Sequence, residues 1–193
     1  MKPYAPLGLL YLSSHLRGAG FDVEIYDSTF GSRDELLRIL ETEQPATLGI
    51  YANLMTRANA LEILKCAVNC GWKVVMGGPE PANYADRYLA AGAHVVVSGE
   101  GEMALEAILR AVPLEQVPGL YFRASDDSTV HTGPARLLAS LDAQPWPDRE
   151  RIDIDQYLRA WREYHGAGSV SVITARGCPY HCRWCSQIGR AHV

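Results

Sequence analysis

From Leu7 to about Val112, apolar residues follow two rhythms that take turns along the chain. The longer stretches have helical spacing: Leu7 to Arg17 reads as an apolar helix, Leu54, Ala58, Leu61 and Leu64 fall on one face of another, and Leu105, Ile108 and Val112 on one face of a third. Between them lie short β-branched runs, which predict strands at Val23 to Tyr26, Leu48 to Tyr51, Lys73 to Met76 and His94 to Val97. Strands alternating with helices predict an α/β fold built on a doubly wound parallel sheet covered on both faces. The helical stripes are core, so chemistry is to be sought in the loops.

After this region, Leu120 to Arg123 and Thr129 to His131 read as a small hairpin around Asp126-Asp127, closing a first domain at residues 1–133. Pro134, Pro145 and Pro147 disfavour helix and suit an extended connector. This linker, residues 134–165, ends in a short helix from Asp153 to about Tyr164, and Trp146 is expected to anchor it on a domain surface. Ser169 to Thr174 is β-branched and predicts a strand that opens a second domain, residues 166–187.

Length and composition agree with one complete domain and part of another. The chain has 193 residues, 48% of them hydrophobic and 21% charged, enough for a packed core and against disorder. A net charge of −4 gives no general attraction to nucleic acid, and none is indicated as a partner. No apolar run approaches a membrane span, and Leu7 to Leu12 is too short for a signal peptide, which predicts a cytoplasmic protein with no membrane partner.

Both ends read as cut. Lys2-Pro3-Tyr4-Ala5-Pro6 leads straight into a helix, whereas a doubly wound sheet normally opens with a strand, so a strand is expected upstream. Residues 188–193, Ile-Gly-Arg-Ala-His-Val, resemble the translation of a common DNA-sequencing adapter, with Gln187 at the junction. They are set apart from fold reasoning, and the natural chain is expected to continue past Ser186.

Ligands of open α/β sheets bind beyond the C-terminal strand ends. Two of the loops there are glycine-rich, Gly77-Gly78-Pro79-Glu80 and Ser98-Gly99-Glu100-Gly101-Glu102, and glycine permits close backbone approach to a ligand. Gly99 to Ala104 formally matches the dinucleotide fingerprint. It follows a late strand, however, and Glu100 and Glu102 would repel a pyrophosphate, so the match is set aside. Both glutamates also favour a helix N-terminus electrostatically, which is an alternative reason for their presence.

Near the C-terminus, Cys178, Cys182 and Cys185 stand in a CxxxCxxC spacing directly after the predicted strand and Arg176-Gly177. Three thiolates from one loop would hold a [4Fe–4S] cluster with one iron open, and a vacancy on a metal serves catalysis rather than structure. A zinc knuckle completed by His181 or His192 is the alternative, against which stands the lack of a second cysteine pair. A disulfide would leave one cysteine over. Cys66 and Cys70, four apart on a helix, are expected to be ordinary half-buried residues.

The cysteine spacing, the strand before it and Trp184 before the third cysteine resemble the radical S-adenosylmethionine enzymes. Together with Ala5-Pro6-Leu7-Gly8-Leu9-Leu10-Tyr11-Leu12 and the two glycine loops, the chain resembles the cobalamin-dependent group of these enzymes, which includes class B methyltransferases and anaerobic magnesium-protoporphyrin ester cyclases. The resemblance covers nearly the whole chain. It implies a flavodoxin-like cobalamin-binding domain followed by the beginning of a partial (β/α) barrel. It implies three cofactors: a [4Fe–4S] cluster on Cys178, Cys182 and Cys185, S-adenosylmethionine, and cobalamin. The corrin would meet Pro6, Leu7, Asn53, Met55, Gly77, Gly78, Pro79, Ser98, Gly99, Glu100 and Gly101, while Tyr180 and Trp184 join the cofactor-binding residues of the cluster loop.

The implied chemistry is reductive cleavage of S-adenosylmethionine to a 5′-deoxyadenosyl radical, which takes hydrogen from a small-molecule substrate. Methyl transfer from cobalamin or oxidative cyclisation follows, with an electron donor such as flavodoxin or ferredoxin as partner. Ser13-Ser14-His15-Leu16-Arg17-Gly18 matches only partly the D-x-H-x-x-G motif that puts a histidine beneath cobalt, since serine replaces aspartate. His15 is therefore expected to be structural, leaving the lower face of cobalt without a protein ligand. Two rivals remain at this stage, a free-standing corrinoid carrier and a flavodoxin-like regulatory or electron-transfer domain.

Overall fold

The structure, a computed structural model, describes residues 3–138 and 140–176. The chain opens with helix α1 (Leu7–Gly18), whose buried Leu7, Leu10, Ser13 and Leu16 recur at helical spacing. Helix α2 (Arg33–Thr42) begins where the Ser32 hydroxyl accepts the Glu35 N–H at 3.0 Å. Strand β1 (Thr47–Tyr51), helix α3 (Arg57–Asn69), strand β2 (Lys73–Gly77), helix α4 (Ala85–Ala90), strand β3 (Val95–Val97) and helix α5 (Glu102–Leu109) follow in alternation. The hairpin β4 (Leu120–Arg123) and β5 (Thr129–His131) turns at Asp127, which adopts a left-handed φ of 64°. Helix α6 (Ile154–His165) is capped by Asp153 at its start and ends at Gly166 in the left-handed conformation.

The five strands lie in the order β1-β2-β3-β4-β5. The first three are parallel, and β4 joins β3 antiparallel, pairing Val97 with Leu120. The expected parallel sheet is thus a mixed one, because the hairpin extends it instead of standing beside it. Alternation along β2 and β3 sends Val74, Met76 and Val96 into one core with Leu40, Leu64 and Tyr88. Val75, Val95 and Val97 enter a second core with Ala104, Leu120 and Phe122. Both faces are covered at the central strands β2 and β3, as a parallel α/β layer requires, while Gly49 and Tyr51 on the edge strand β1 are exposed.

Four expectations need correction. Val23 to Tyr26 is extended but not a strand, because it finds no ladder partner among the described residues. An extended segment becomes a strand only when its backbone groups meet a neighbour's. Leu54 and Ala58 are exposed; α3 starts later, and its inward stripe is Ala60, Leu64 and Ala67. Ser169 to Thr174 forms no strand either, and its Val170, Val172 and Ile173 side chains are exposed. Trp146 is 84% exposed, so the linker is anchored instead by its neighbours: Pro147 is buried, and Asp148 accepts a hydrogen bond from the Ser13 hydroxyl at 2.9 Å.

Candidate functional site

The C-terminal ends of β1, β2 and β3 lie side by side and feed three loops. At the first, the Asn53 carboxamide oxygen accepts the N–H groups of Met55 and Thr56 at 2.9 and 3.0 Å, a local turn that sets up α3. This turn leaves Met55 90% exposed and Leu54 68% exposed, with Tyr51 at the strand end 48% exposed. Exposed apolar side chains grouped at a strand end form a patch suited to a flat, largely apolar ligand.

At the second loop, Gly78 has φ +103°, and a Cβ there would lie 2.4 Å from the Ala52 carbonyl oxygen. Only glycine allows the β1 and β2 ends to approach this closely. Glu80 does not face a ligand. Its carboxylate is buried, forms an ion pair with Arg57 at 2.5 Å and accepts the Tyr88 hydroxyl hydrogen bond. Arg57 Nε and Glu80 Oε1 meet off the hydrogen-bonding direction, so their contact is ionic. Burial and the neighbouring Glu80 carboxylate push the Tyr88 hydroxyl far above its ordinary pKa.

At the third loop, Gly99 has φ +81°, and a Cβ there would meet Ala135 of the linker at 2.8 Å. The close approach permitted at Gly99 is therefore taken up by the chain itself. Gly101 lies against Leu12 of α1, which puts that helix beside the loop. The Glu100 carboxylate accepts the Leu138 N–H at 2.8 Å. Arg176 reaches the same loop, 2.7 Å from Glu102 and 3.8 Å from Glu100.

Of the residues predicted from sequence, Asn53, Met55, Gly77, Gly78, Pro79, Ser98, Gly99, Glu100 and Gly101 all sit on these three loops or the strand ends feeding them. Pro6 and Leu7 begin α1, where Pro6 precedes the first turn and Leu7 is buried. Tyr180, Trp184, Cys178, Cys182 and Cys185 lie outside the described residues. Cys66 and Cys70 are half-buried, free thiols as expected. His15 Nε2 is 2.7 Å from Glu106 on α5, so the imidazole is engaged within the protein. Hydrogen bonds from Arg110 and from His15 hold the Glu106 carboxyl below its usual pKa.

Sequence reasoning did not single out Arg57, Tyr88, Ala135 or Arg176 as residues that shape the loops. Only Arg176 carried a signal, a lone cation at the predicted strand end matched by two glutamates in a facing loop.

Residues 2–109 match the B12 binding domain family model. The chain belongs to this family. The chain is 30% identical to an uncharacterized methyltransferase of Pyrococcus horikoshii over 94% of its own length and 40% of that protein's. It is 28% identical to the anaerobic magnesium-protoporphyrin IX monomethyl ester cyclase of Synechocystis over 95% of this chain and 38% of that protein. It is 26% identical to the hopanoid C-3 methylase of Methylococcus capsulatus, covering 94% and 35%. The chain thus spans well under half the length of these relatives.

Its fold matches that of the cobalamin-dependent S-adenosylmethionine radical enzyme OxsB, with aqua-cobalamin and S-adenosylmethionine bound, at a TM-score of 0.76. Sequence identity there is 24%, over 95% of this chain and 26% of that one. The exposed Tyr51, Leu54 and Met55 beside the Gly78 turn fit a corrinoid: they offer apolar surface where backbone can come close. Among the described residues no helix is long and apolar enough to cross a membrane.

Proposed function

We propose that this chain is the cobalamin-binding part of a cobalamin-dependent radical S-adenosylmethionine enzyme, a methyltransferase or cyclase acting on an unactivated carbon of a small molecule. The observation that carries the reading is a B12-binding domain whose linker leads into CxxxCxxC. The similarity to methyltransferases and a cyclase along nearly the whole chain supports the reaction class. A cytoplasmic setting and a small reduced electron carrier as partner belong to the same proposal.

The residues that would hold cobalamin are those of the three loops, with Tyr51, Leu54 and Met55 presenting apolar surface to the corrin. Cys178, Cys182 and Cys185 would hold a [4Fe–4S] cluster, with Tyr180 and Trp184 as further cofactor-binding residues of the same loop. When bound, the cluster would supply the electron that splits a sulfonium C–S bond, and cobalamin the methyl group or a further electron transfer. The protein's own part is placement. The Asn53 turn holds Met55 outward, and Gly78 keeps the β1 and β2 ends together so that backbone can lie against a ligand. His15 is held by Glu106 on α5 and would serve as a structural residue rather than as part of the cobalamin site.

Replacing Cys182 with alanine tests the two-site reading. After anaerobic reconstitution, the variant is expected to lose the iron–sulfur absorbance while still binding one cobalamin. Loss of both cofactors together would contradict separate sites. Cobalamin uptake by the unaltered chain without any iron would point to a corrinoid carrier.

A further inference from the structure

We propose that Arg176 is a positioning residue that ties the start of the cysteine segment to the Ser98–Glu102 loop, coupling cobalamin binding to occupancy of the cysteine motif. The inference rests on the function proposed above. Arg176 Nη1 lies 2.7 Å from Glu102 Oε1 and 3.8 Å from Glu100 Oε1, and its guanidinium carbon is 5.2 Å from the centre of the Tyr11 ring. One planar cation therefore joins three partners from α1 and the third loop. Arginine suits this position, because its fork can serve two carboxylates while its face rests on an aromatic ring.

The surroundings make the contact strong. The Arg176 side chain is 18% exposed and that of Glu102 only 5%. Among the described residues Arg176 is the only cation paired with Glu102, so without it a nearly buried carboxylate would lose its counter-charge. Glu100 also uses its other oxygen to hold Leu138 of the linker. Linker and cysteine segment are thus pinned to one short loop.

The segment before the cysteines has few other anchors among the described residues. Residues 169–176 form no strand, and Val170, Val172 and Ile173 are exposed rather than packed. Two arginines supply its anchors: Arg149 donates to the Ser171 carbonyl at 2.6 Å, and Arg176 reaches the loop. Cys178 follows Arg176 by two residues, so this anchor stands two peptide units before the first cysteine in sequence. In the other direction, a ligand that settles against Ser98 to Gly101 must act on Glu100 and Glu102. Coupling of this kind is reciprocal: whatever one site does to the other's affinity is returned by the same factor.

The test uses the full chain and the variants Arg176→Gln, Arg176→Lys, Glu102→Gln and the Arg176→Gln/Glu102→Gln double. Hydrogen exchange without cofactors comes first. Amides of residues 98–103 and 171–176 are expected to exchange about tenfold faster in each glutamine variant, with the double no faster than the singles and Arg176→Lys in between. Hydroxocobalamin affinity is then measured with and without the reconstituted cluster. The unaltered chain should show a difference of roughly 5-fold or more, the lower end of typical coupling, and Arg176→Gln about none.

Unchanged exchange in Arg176→Gln, additive effects in the double variant, or equal coupling with and without the arginine would each overturn the proposal. A chain that takes up cobalamin but no iron would remove the underlying function, and this inference with it. A chain that takes up both, with no change on losing Arg176, would sink this inference alone.

Discussion

Glu80 closes the Gly-Gly-Pro-Glu run that looks in sequence like part of a ligand loop, yet Arg57 and Tyr88 occupy its carboxylate in the interior. Arg57→Ala would strand that charge. The cost falls on Glu80, whose buried carboxylate would lose its cation, so a lower Tm is expected, measurable by calorimetry. Tyr88 adds a pH dependence. Its folded-state pKa is raised by burial and by Glu80, and that of Tyr157 by burial and by its hydrogen bond to Asp27. An unfolded tyrosine ionises near about pH 10 while these two stay protonated, so their stabilisation is full below that pH and declines above it. Denaturant titrations should find stability falling above about pH 10, less steeply in Tyr88→Phe and Tyr157→Phe. An equally steep fall in both variants would contradict this assignment.

The strands β1, β2 and β3 bring three loops to one edge of the sheet, and Gly78 lets two of them meet. Gly78→Ala places a methyl group 2.4 Å from the Ala52 carbonyl in a backbone region that L-residues avoid. A loss of about 1–3 kcal/mol is expected for such strain, with weaker cobalamin binding, checked by thermal melts and corrin absorbance. The elements at this scale were legible where their neighbours are local. β1, β2, β3, the hairpin and α6 all stand close to where apolar rhythm and turn residues put them. Val23 to Tyr26 and Ser169 to Thr174 have equally strong β-branched patterns but remain unpaired among the described residues. Periodicity reports which face of a strand is apolar; it does not report whether a partner strand is there to complete the ladder. The stripe on α3 was misplaced for a related reason, since the Asn53 turn delays the helix and turns Leu54 outward.

At the scale of the whole molecule, the linker and the last described residues wrap back onto the first domain. Asp148 bonds Ser13, Tyr157 bonds Asp27, the Trp161 indole donates to the Pro3 carbonyl at 2.7 Å, and Arg176 meets Glu102. The first three of these pairings were not legible in sequence, because each joins residues far apart whose types are ordinary at the surface; only Arg176 carried a signal, two glutamates in a facing loop. The glycine loops were legible as a group, since backbone conformation at glycine is a local property. What they approach within the chain was not, as with Ala135 beside Gly99. The central claim is that the exposed loop ends hold cobalamin, and titration of the chain with hydroxocobalamin tests it most directly, run beside Met55→Asp and His15→Ala. Met55 is nearly fully exposed, so its replacement should leave Tm within about a degree or two. The account predicts one equivalent bound by the unaltered chain and by His15→Ala, and at least about tenfold weaker binding by Met55→Asp. Equal binding by Met55→Asp, or loss of binding in His15→Ala with its fold intact, would contradict it.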